Sequence, residues 1–330
     1  MESNAPRVFR FSTDQFPEHK RVDAYREIYS RTIVKHDIEP IADQPFHFEA
    51  TLSSFSGLGL ASSLFSPCRR WNGPHHINGD DLVLGAGISG RGIVQQRGRE
   101  AVVGAGEALL TSCTDPALVT IPERSQLISV RVPASTLAAR IAGLGDRVTQ
   151  TIPHGTPVKL LTGYVGAVWQ SGVTTMQPEL REVVAAHIED LVCLVLGAEG
   201  EARELAQQRG LRAARLSAIL RAIEGRSGDP GLSAATVAAA LGITPRYVHL
   251  LLEQTGKSFT HHLLQRRLEK AAALLADPRW HERRIADIAA KAGFTDLSYF
   301  GRAFRRMYGA SPSDLRAASR PDGGHRRGNK

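Results

Sequence analysis

Twice toward its C-terminal end the chain runs a short apolar helix pattern into a single glycine and restarts it behind a capping side chain, and few folds tolerate that punctuation. In the first instance Ser233 is placed to cap a helix whose apolar face is Val237, Ala240 and Leu241, and Gly242 supplies the positive φ that ends it. Thr244 then caps a second helix, with Pro245 in the first turn, where a missing N–H leaves no bond unmade. Tyr247, Val248, Leu251 and Leu252 fall on one side of that helix, which leaves Arg246, His249 and Leu250 on the other. In the second instance Ile285, Ile288 and Ala289 form the inward stripe, Gly293 interrupts it, Thr295 or Asp296 caps the next helix, and Phe294 stands where a hydrophobic staple belongs. Phe300, Phe304 and Met307 recur at helical spacing and are expected in the core, with Leu297, Ser298, Gly301, Arg302 and Arg305 opposite them. Between the two units lies one long helix from about Ser258 to Ala276, with Leu264, Leu268, Ala271, Ala272 and Leu275 as its buried stripe and Asp277 and Pro278 as its stop. Each unit has the form of a helix-turn-helix, and the helix between them would act as a rigid spacer.

Charge is segregated in the same direction. The 330 residues carry a formal net charge of +8, yet residues 201–330 hold 23 Lys and Arg against 12 Asp and Glu, while residues 1–200 hold 18 against 21. A domain that displaces counterions from phosphates has reason to gather its positive charge in this way. The three cysteines, Cys68, Cys113 and Cys193, lie far apart without a C-x-x-C spacing, so neither a zinc site nor a disulfide framework is expected, and reduced thiols fit a cytoplasmic protein. Residues 1–10 lack the continuous apolar run of a signal peptide. The apolar stretch 183–196 is interrupted by His187, Glu189 and Asp190, so no membrane role is expected.

The N-terminal part reads differently. Residues 14–32, with Phe16, Val22, Tyr25, Ile28 and Tyr29 at helical spacing, predict an opening amphipathic helix. From about Phe46 to Val132 short apolar runs at 58–64, 81–84, 92–95, 108–110, 118–121 and 127–132 are broken by Gly, Pro, Asn and Asp, a cadence that predicts a β-sandwich or barrel. Two helices follow, one with Leu160, Leu161, Tyr164, Val165 and Val168 as its stripe and one with Leu180, Val183, Val184, Ile188, Leu191, Val192 and Val195. These segments, 156–170 and 178–197, must bury their stripes on the β-core, on each other or in a homodimer. The expected organisation is an α+β domain over 1–200, a linker over 201–210, an all-α domain over 211–320 and a disordered basic tail over 321–330.

Residues 232–242, the run Thr244, Pro245, Arg246 and Tyr247, Arg267 with Leu268, Ile285 to Ala289, Gly293 with Phe294, Ser298 to Phe300, Arg302 to Phe304, and Gly309 with Ser311 and Pro312 closely resemble the DNA-binding domain of the AraC/XylS family of transcription regulators. The resemblance spans about 212–318. It implies base reading by Arg246, His249 and Leu250 from the first recognition helix and by Leu297, Ser298, Gly301 and Arg302 from the second. Thr244, Lys291, Arg305 and Arg306 are then expected on phosphates. Where relatives often carry Arg-Leu-Phe this chain has Leu250, Leu251 and Leu252, which exchanges a hydrogen-bonding contact for an apolar one, and Leu315 replaces a commoner aromatic. The N-terminal part looks like the cupin-like ligand or dimerisation domain of these regulators, so the β-domain is expected to be a cupin-like barrel with flanking helices. Promoter DNA, RNA polymerase, a small organic effector and a second copy of the chain are the implied partners. An activator is expected more than a repressor, and no cofactor, metal or catalytic residue is called for.

Competing readings rest on isolated features. Gly85, Gly87 and Gly90 fit G-x-G-x-x-G after a strand-like run, but Gly92 and Gly98 follow where a helix should open, so a turn between strands is expected. A cupin metal enzyme would use His47, His75 and His76, yet adjacent histidines on a strand point to opposite faces. A DNA-repair methyltransferase would need an activated cysteine, and Cys68 beside Arg69 and Arg70 is the candidate. Trp71, His75 and Tyr164 are the candidate effector contacts.

Overall fold

The computed structural model describes residues 7–29, 36–41, 45–73, 80–172 and 176–319. It divides into two compact units, Met1–Ala214 and Arg215–Lys330.

The first unit is built from two antiparallel sheets. One runs in the order β1 (Arg7–Ser12), β3 (Phe48–Phe55), β4 (Leu58–Phe65), β11 (Ser125–Val132), β6 (Leu82–Ser89), β9 (Ala108–Ser112) and β12 (Thr151–Ile152). The other runs β2 (Asp37–Pro40), β5 (Cys68–Asn72), β10 (Ala117–Ile121), β7 (Gly92–Gln96) and β8 (Arg99–Val103). The two-residue period of a strand assigns the two faces of β6. Leu82, Leu84 and Ala86 join the main core, together with Val158, Leu161 and Val165 of α4 (Thr156–Gln170) and Ile188, Leu191 and Val192 of α5 (Pro178–Val195). Val83, Gly85 and Gly87 instead line a cavity to which the second sheet also contributes. A second core is rich in aromatic side chains, with Phe11, Tyr25, Tyr29, Phe48 and Phe65 packed together. The expected sandwich or barrel, with helices against it, is the observed architecture.

Several local expectations are corrected. The opening helix does not span 14–32. Pro17, with φ −54°, follows an extended Phe16, and the helix α1 is confined to Arg21–Tyr29, preceded by 3-10 turns at Thr13–Gln15 and Glu18–Lys20. Proline cannot donate to a helix, and it forces its predecessor out of helical geometry. Residues 30–32 lie outside the described residues, as do the tail 321–330 and His75 and His76. The strand read at 81–84 continues to Ser89 and absorbs two of the three motif glycines, and Gly90 turns the chain into β7 at φ +69°. The segment 201–210 is helix, not open linker: α6 (Gly200–Ala206) runs through a π-turn at Gln207–Leu211 into α7 (Arg212–Arg226). Ala206 and Gly210 are buried there, and a side chain at Gly210 would lie 2.5 Å from Cβ of Asp190, so this stretch packs tightly on α5. Leu180 and Val183 of α5, expected in its stripe, are 48% and 49% exposed.

The second unit is wholly helical: the rest of α7, then α8 (Ala234–Leu241), α9 (Pro245–Glu253), α10 (Phe259–Ala276), α11 (Ile285–Lys291), α12 (Leu297–Tyr308) and α13 (Pro312–Ala318). It has two cores on one spine. Phe259 and Leu263 from the first part of α10 pack with Val237, Val248, Leu251 and Leu252, whereas Leu268, Ala271 and Leu275 from its later part pack with Ile288, Phe294, Phe300 and Phe304.

Candidate nucleic-acid interface

Local chemistry sets the ends of the four short helices. Ser233 and Thr236 cap α8 reciprocally: Ser233 Oγ accepts from the Thr236 N–H at 3.2 Å, and Thr236 Oγ1 accepts from the Ser233 N–H at 3.0 Å. Gly242 follows in the left-handed region at φ +64°, and the Ile243 N–H reaches back to the Ala238 carbonyl at 3.0 Å. The second unit repeats that ending, with Gly293 at φ +99° and the Phe294 N–H on the Ala289 carbonyl at 2.9 Å. This six-to-one bond behind a left-handed glycine is the Schellman motif, and its recurrence makes the two turns equivalent at the backbone. Thr244 Oγ1 accepts from Tyr247 N–H at 3.2 Å to start α9, and Asp296 Oδ1 accepts from Tyr299 N–H at 2.9 Å to start α12. Asp296, not Thr295, is therefore the cap. The α8 and α9 axes bend by 103°, within the range of a helix-turn-helix.

Burial sorts each second helix into two faces. On α9, Val248, Leu251 and Leu252 are buried, and Arg246, His249 and Leu250 are exposed along the other side. On α12, Phe300, Ala303 and Phe304 are buried, while Leu297, Ser298, Arg302 and Arg305 are exposed with the half-buried Gly301 among them. The α12 residues, together with Arg306, Ser311 and Pro312, line one shallow depression. Met307 departs from its expected core position and is 41% exposed, because the core of the second unit closes over Phe300 and Phe304 and ends before it. Two large apolar side chains, Leu250 at 45% and Leu297 at 51% exposure, stand in solvent among the polar ones.

Electrostatics separates structural cations from free ones. Arg226, Arg266 and Arg279 are paired with Asp229, Glu269 and Asp277. Among the described residues no carboxylate lies at ion-pair distance from Arg246, Lys291, Arg302, Arg305 or Arg306. Arg267 has a structural task that its sequence context did not disclose: from α10, its Nε donates to the Ser227 carbonyl and its Nη2 to the Asp229 carbonyl, both at 2.9 Å. A side chain at Gly293 would meet Ser227 O at 2.5 Å and Arg267 Nε at 2.8 Å, so the second turn is pressed against this clasp.

The candidate effector residues are dispersed. Trp71, 36% exposed on β5, contributes to the lining of the cavity. Tyr164 does not line it; it packs in the main core between α4 and α5, where its hydroxyl meets His187 Nδ1 at 2.8 Å. His75 lies outside the described residues. Arg70, which the sequence reading weighed only as a neighbour of Cys68, is on the inner face of β5 and lines the cavity. The alternation Cys68, Arg70, Asn72 was the signal for it. Cys68 is buried, and that burial pushes its thiol up to about 12 against the pull of Arg70, the opposite of an activated thiolate. His47 is engaged with Asp14 at 3.1 Å, and among the described residues no three His, Cys, Asp or Glu side chains gather as metal ligands do. Among the same residues no single helix is long and apolar enough to cross a membrane.

A β-rich domain with an internal cavity and a two-core helical domain with paired helix-turn-helix units together define a two-domain protein of the helix-turn-helix class. Comparison with known proteins makes the class specific. The AraC-binding-like domain model matches residues 25–197 and a helix-turn-helix domain model matches 237–318, and the chain belongs to the AraC family. It is 31% identical over 201 residues to the transcriptional activator RhrA of Rhizobium meliloti, covering 60% of this chain and 61% of that one. It is 28% identical over 225 residues to the transcriptional activator NphR of a Rhodococcus species, covering 66% and 64%. The matched region spans less than two thirds of the length of either relative. Among solved structures, the AraC-like transcriptional activator CuxR aligns over 80% of this chain and 95% of its own at 18% identity, with a TM-score of 0.49.

Proposed function

We propose that this chain is a sequence-specific DNA-binding regulator of transcription, acting as an effector-responsive activator and not as an enzyme. The observation that carries the reading is the repeated construction of α9 and α12: each follows a glycine-terminated helix, starts behind a capping oxygen, buries one face and leaves the other free with unpaired cations. A common spine shared by two cores supports simultaneous entry into successive major-groove segments, about 34 Å apart on one face of a duplex.

Arg246, His249 and Leu250 read bases from α9, and Leu297, Ser298, Gly301 and Arg302 read them from α12. Arg302 suits the O6 and N7 of guanine, while exposed Leu250 and Leu297 suit thymine methyls. Thr244, Lys291, Arg305 and Arg306 hold phosphates. A small organic effector enters the cavity of the first unit, and a homodimer forms through α4 and α5, a reading favoured by the exposed Leu180 and Val183. Promoter DNA and RNA polymerase are the macromolecular partners, in the cytoplasm.

The test is selection from random duplexes by the purified full chain. Recovery of two short conserved blocks one helical turn apart supports the reading, and absence of any sequence preference at low salt removes it.

A further inference from the structure

The cavity between the two sheets has a volume of about 110 Å³, the scale of an engineered cavity of about 150 Å³ that admits benzene. Val83, Val94, Leu109, Val119, Ile121 and Leu127 make its walls apolar. Gly85 of β6 leaves part of its space open, whereas at Gly87 the Gly104 backbone stands where a Cβ would be. A Cβ at Gly85 would meet nothing nearer than 3.9 Å, so packing does not demand glycine there.

Of the two arginines that line this space, Arg91 lies 3.7 Å from the Glu123 carboxylate, whereas Arg70 has no such partner. Arg70 lines the cavity, its Nε is buried with no hydrogen-bond acceptor, and its guanidinium lies 4.9 Å from the centre of the Phe65 ring. The ionisable groups around it are Tyr29, Tyr25 and Cys68, of which the Tyr25 hydroxyl acts on the guanidinium at hydrogen-bonding range, and none is a carboxylate. Among the described residues no carboxylate pairs with Arg70. Guanidinium does not shed its proton in proteins, and Arg70, half-buried with its Nε withdrawn from water, has no counter-charge, so the arrangement suits an anion supplied from outside. Several polar side chains of the lining are already engaged: Asn72 Nδ2 donates to the Asp115 carbonyl at 3.1 Å, Thr111 Oγ1 to the Val83 carbonyl at 3.2 Å, and Ser112 Oγ meets Thr114 Oγ1 at 2.7 Å. A phosphate ester would bring a hydration shell that apolar walls cannot replace.

The geometry points to a small organic carboxylate, one aromatic ring or a short alkyl chain in size, as the effector of this chain, its carboxylate paired with Arg70 and its hydrocarbon body against the apolar walls. This rests on the effector-responsive reading above and names the chemical class that reading left open. A planar carboxylate matches the fork of a guanidinium, and an acyl body of this size fills the space beside Gly85.

The test uses the full-length chain with benzoate and hexanoate, their uncharged counterparts benzamide and hexanamide, and inorganic phosphate, read by calorimetric titration and by the shift in Tm. Both acids should bind, with each amide weaker by about tenfold or more. Arg70→Met should erase the difference between acid and amide, Arg70→Lys should keep the preference for the acid, and Gly85→Leu should abolish binding of all four organic probes while Arg70 remains. If Arg70→Met does not fold, Arg70→Lys and Gly85→Leu carry the test. Equal binding of acid and amide, acid binding undiminished in Arg70→Met, or no binding of either acid at millimolar concentration overturns the proposal. Phosphate binding as tightly as benzoate, lost in Arg70→Met, overturns the carboxylate assignment in favour of a plain anion site. Duplex selection run alongside separates the two readings. Acid binding without DNA preference keeps the pocket and sinks the regulator, and DNA preference without acid binding does the reverse.

Discussion

Arg302 and Arg306 lie about one turn apart on α12, but they belong to different surroundings. Arg302 lines the depression with Ser298 and Gly301, whereas Arg306 sits on an edge shared with a second groove that includes Met307 and Leu264. Arg302→Ala is therefore expected to lose about 1–3 kcal/mol on the selected site and to relax preference at one base position. Arg306→Ala should weaken selected and random duplexes alike and reduce the salt slope by about one. Fluorescence anisotropy over a salt series distinguishes them, and an equal loss on both duplexes for Arg302→Ala would remove it from the base readers. Gly301 offers a sharper contrast. A Cβ there meets nothing within 4 Å, so the fold has no steric need for glycine in the middle of α12. Gly301→Ala should raise stability by about 0.5–1 kcal/mol in urea titration while lowering affinity for the selected duplex. Unchanged affinity in a stabilised variant would show that no close backbone approach to DNA occurs at this position.

Among the elements, the helices that close the first unit depend on one buried carboxylate. Asp190 of α5 is fully buried and accepts from Arg140, which follows α2 (Ala134–Ala138) closely in sequence, and from Arg209 in the π-turn, with Nε at 2.7 Å and Nη2 at 3.0 Å. Asp190→Asn leaves two guanidiniums facing a neutral amide, and a loss on the order of 3–5 kcal/mol is expected, measured by chemical denaturation of the full chain. A change under about 1 kcal/mol would mean that water already compensates both arginines. The α4 and α5 pair also carries a titrating contact. Burial holds His187 below the ordinary imidazole value of 6.5, with Asp190 opposing and Arg209 adding to the shift. The unfolded chain then binds more protons than the folded one between the lowered pKa and 6.5. Stability from the neutral ring is thus complete above that window and is lost as pH falls through it. The Tm of the first unit should decline as pH falls below 6.5, and His187→Gln should flatten that decline.

For the molecule as a whole, the second unit contains both of its own cores and the larger share of positive charge. A fragment of residues 212–330 is expected to fold alone and keep its DNA sequence preference while losing any response to effector, as selection with the fragment and the full chain side by side would reveal. A fragment that folds but binds without preference would place part of the specificity in the first unit. What the sequence by itself determined is concentrated in this half. Ser233, Gly242, Thr244, Pro245 and Gly293 act on backbone groups within one turn of themselves, so the helix ends they dictate were readable without knowing any neighbour. Only the tertiary structure decided the rest. The strand at Arg7–Ser12 exists by pairing with Phe48–Phe55, a partner far along the chain, and local pattern does not announce such pairing. Met307 obeys the period of a core residue, but the core stops short of it. Gly85 and Gly87 read as a turn until the assembled sheets gave each a different task, open cavity space at Gly85 and close approach of the Gly104 backbone at Gly87. Arg70 stood in the sequence only as a neighbour of Cys68, because what a strand residue faces depends on what packs above the strand, and that is a property of the assembled sheets and not of the residue's own neighbours in sequence.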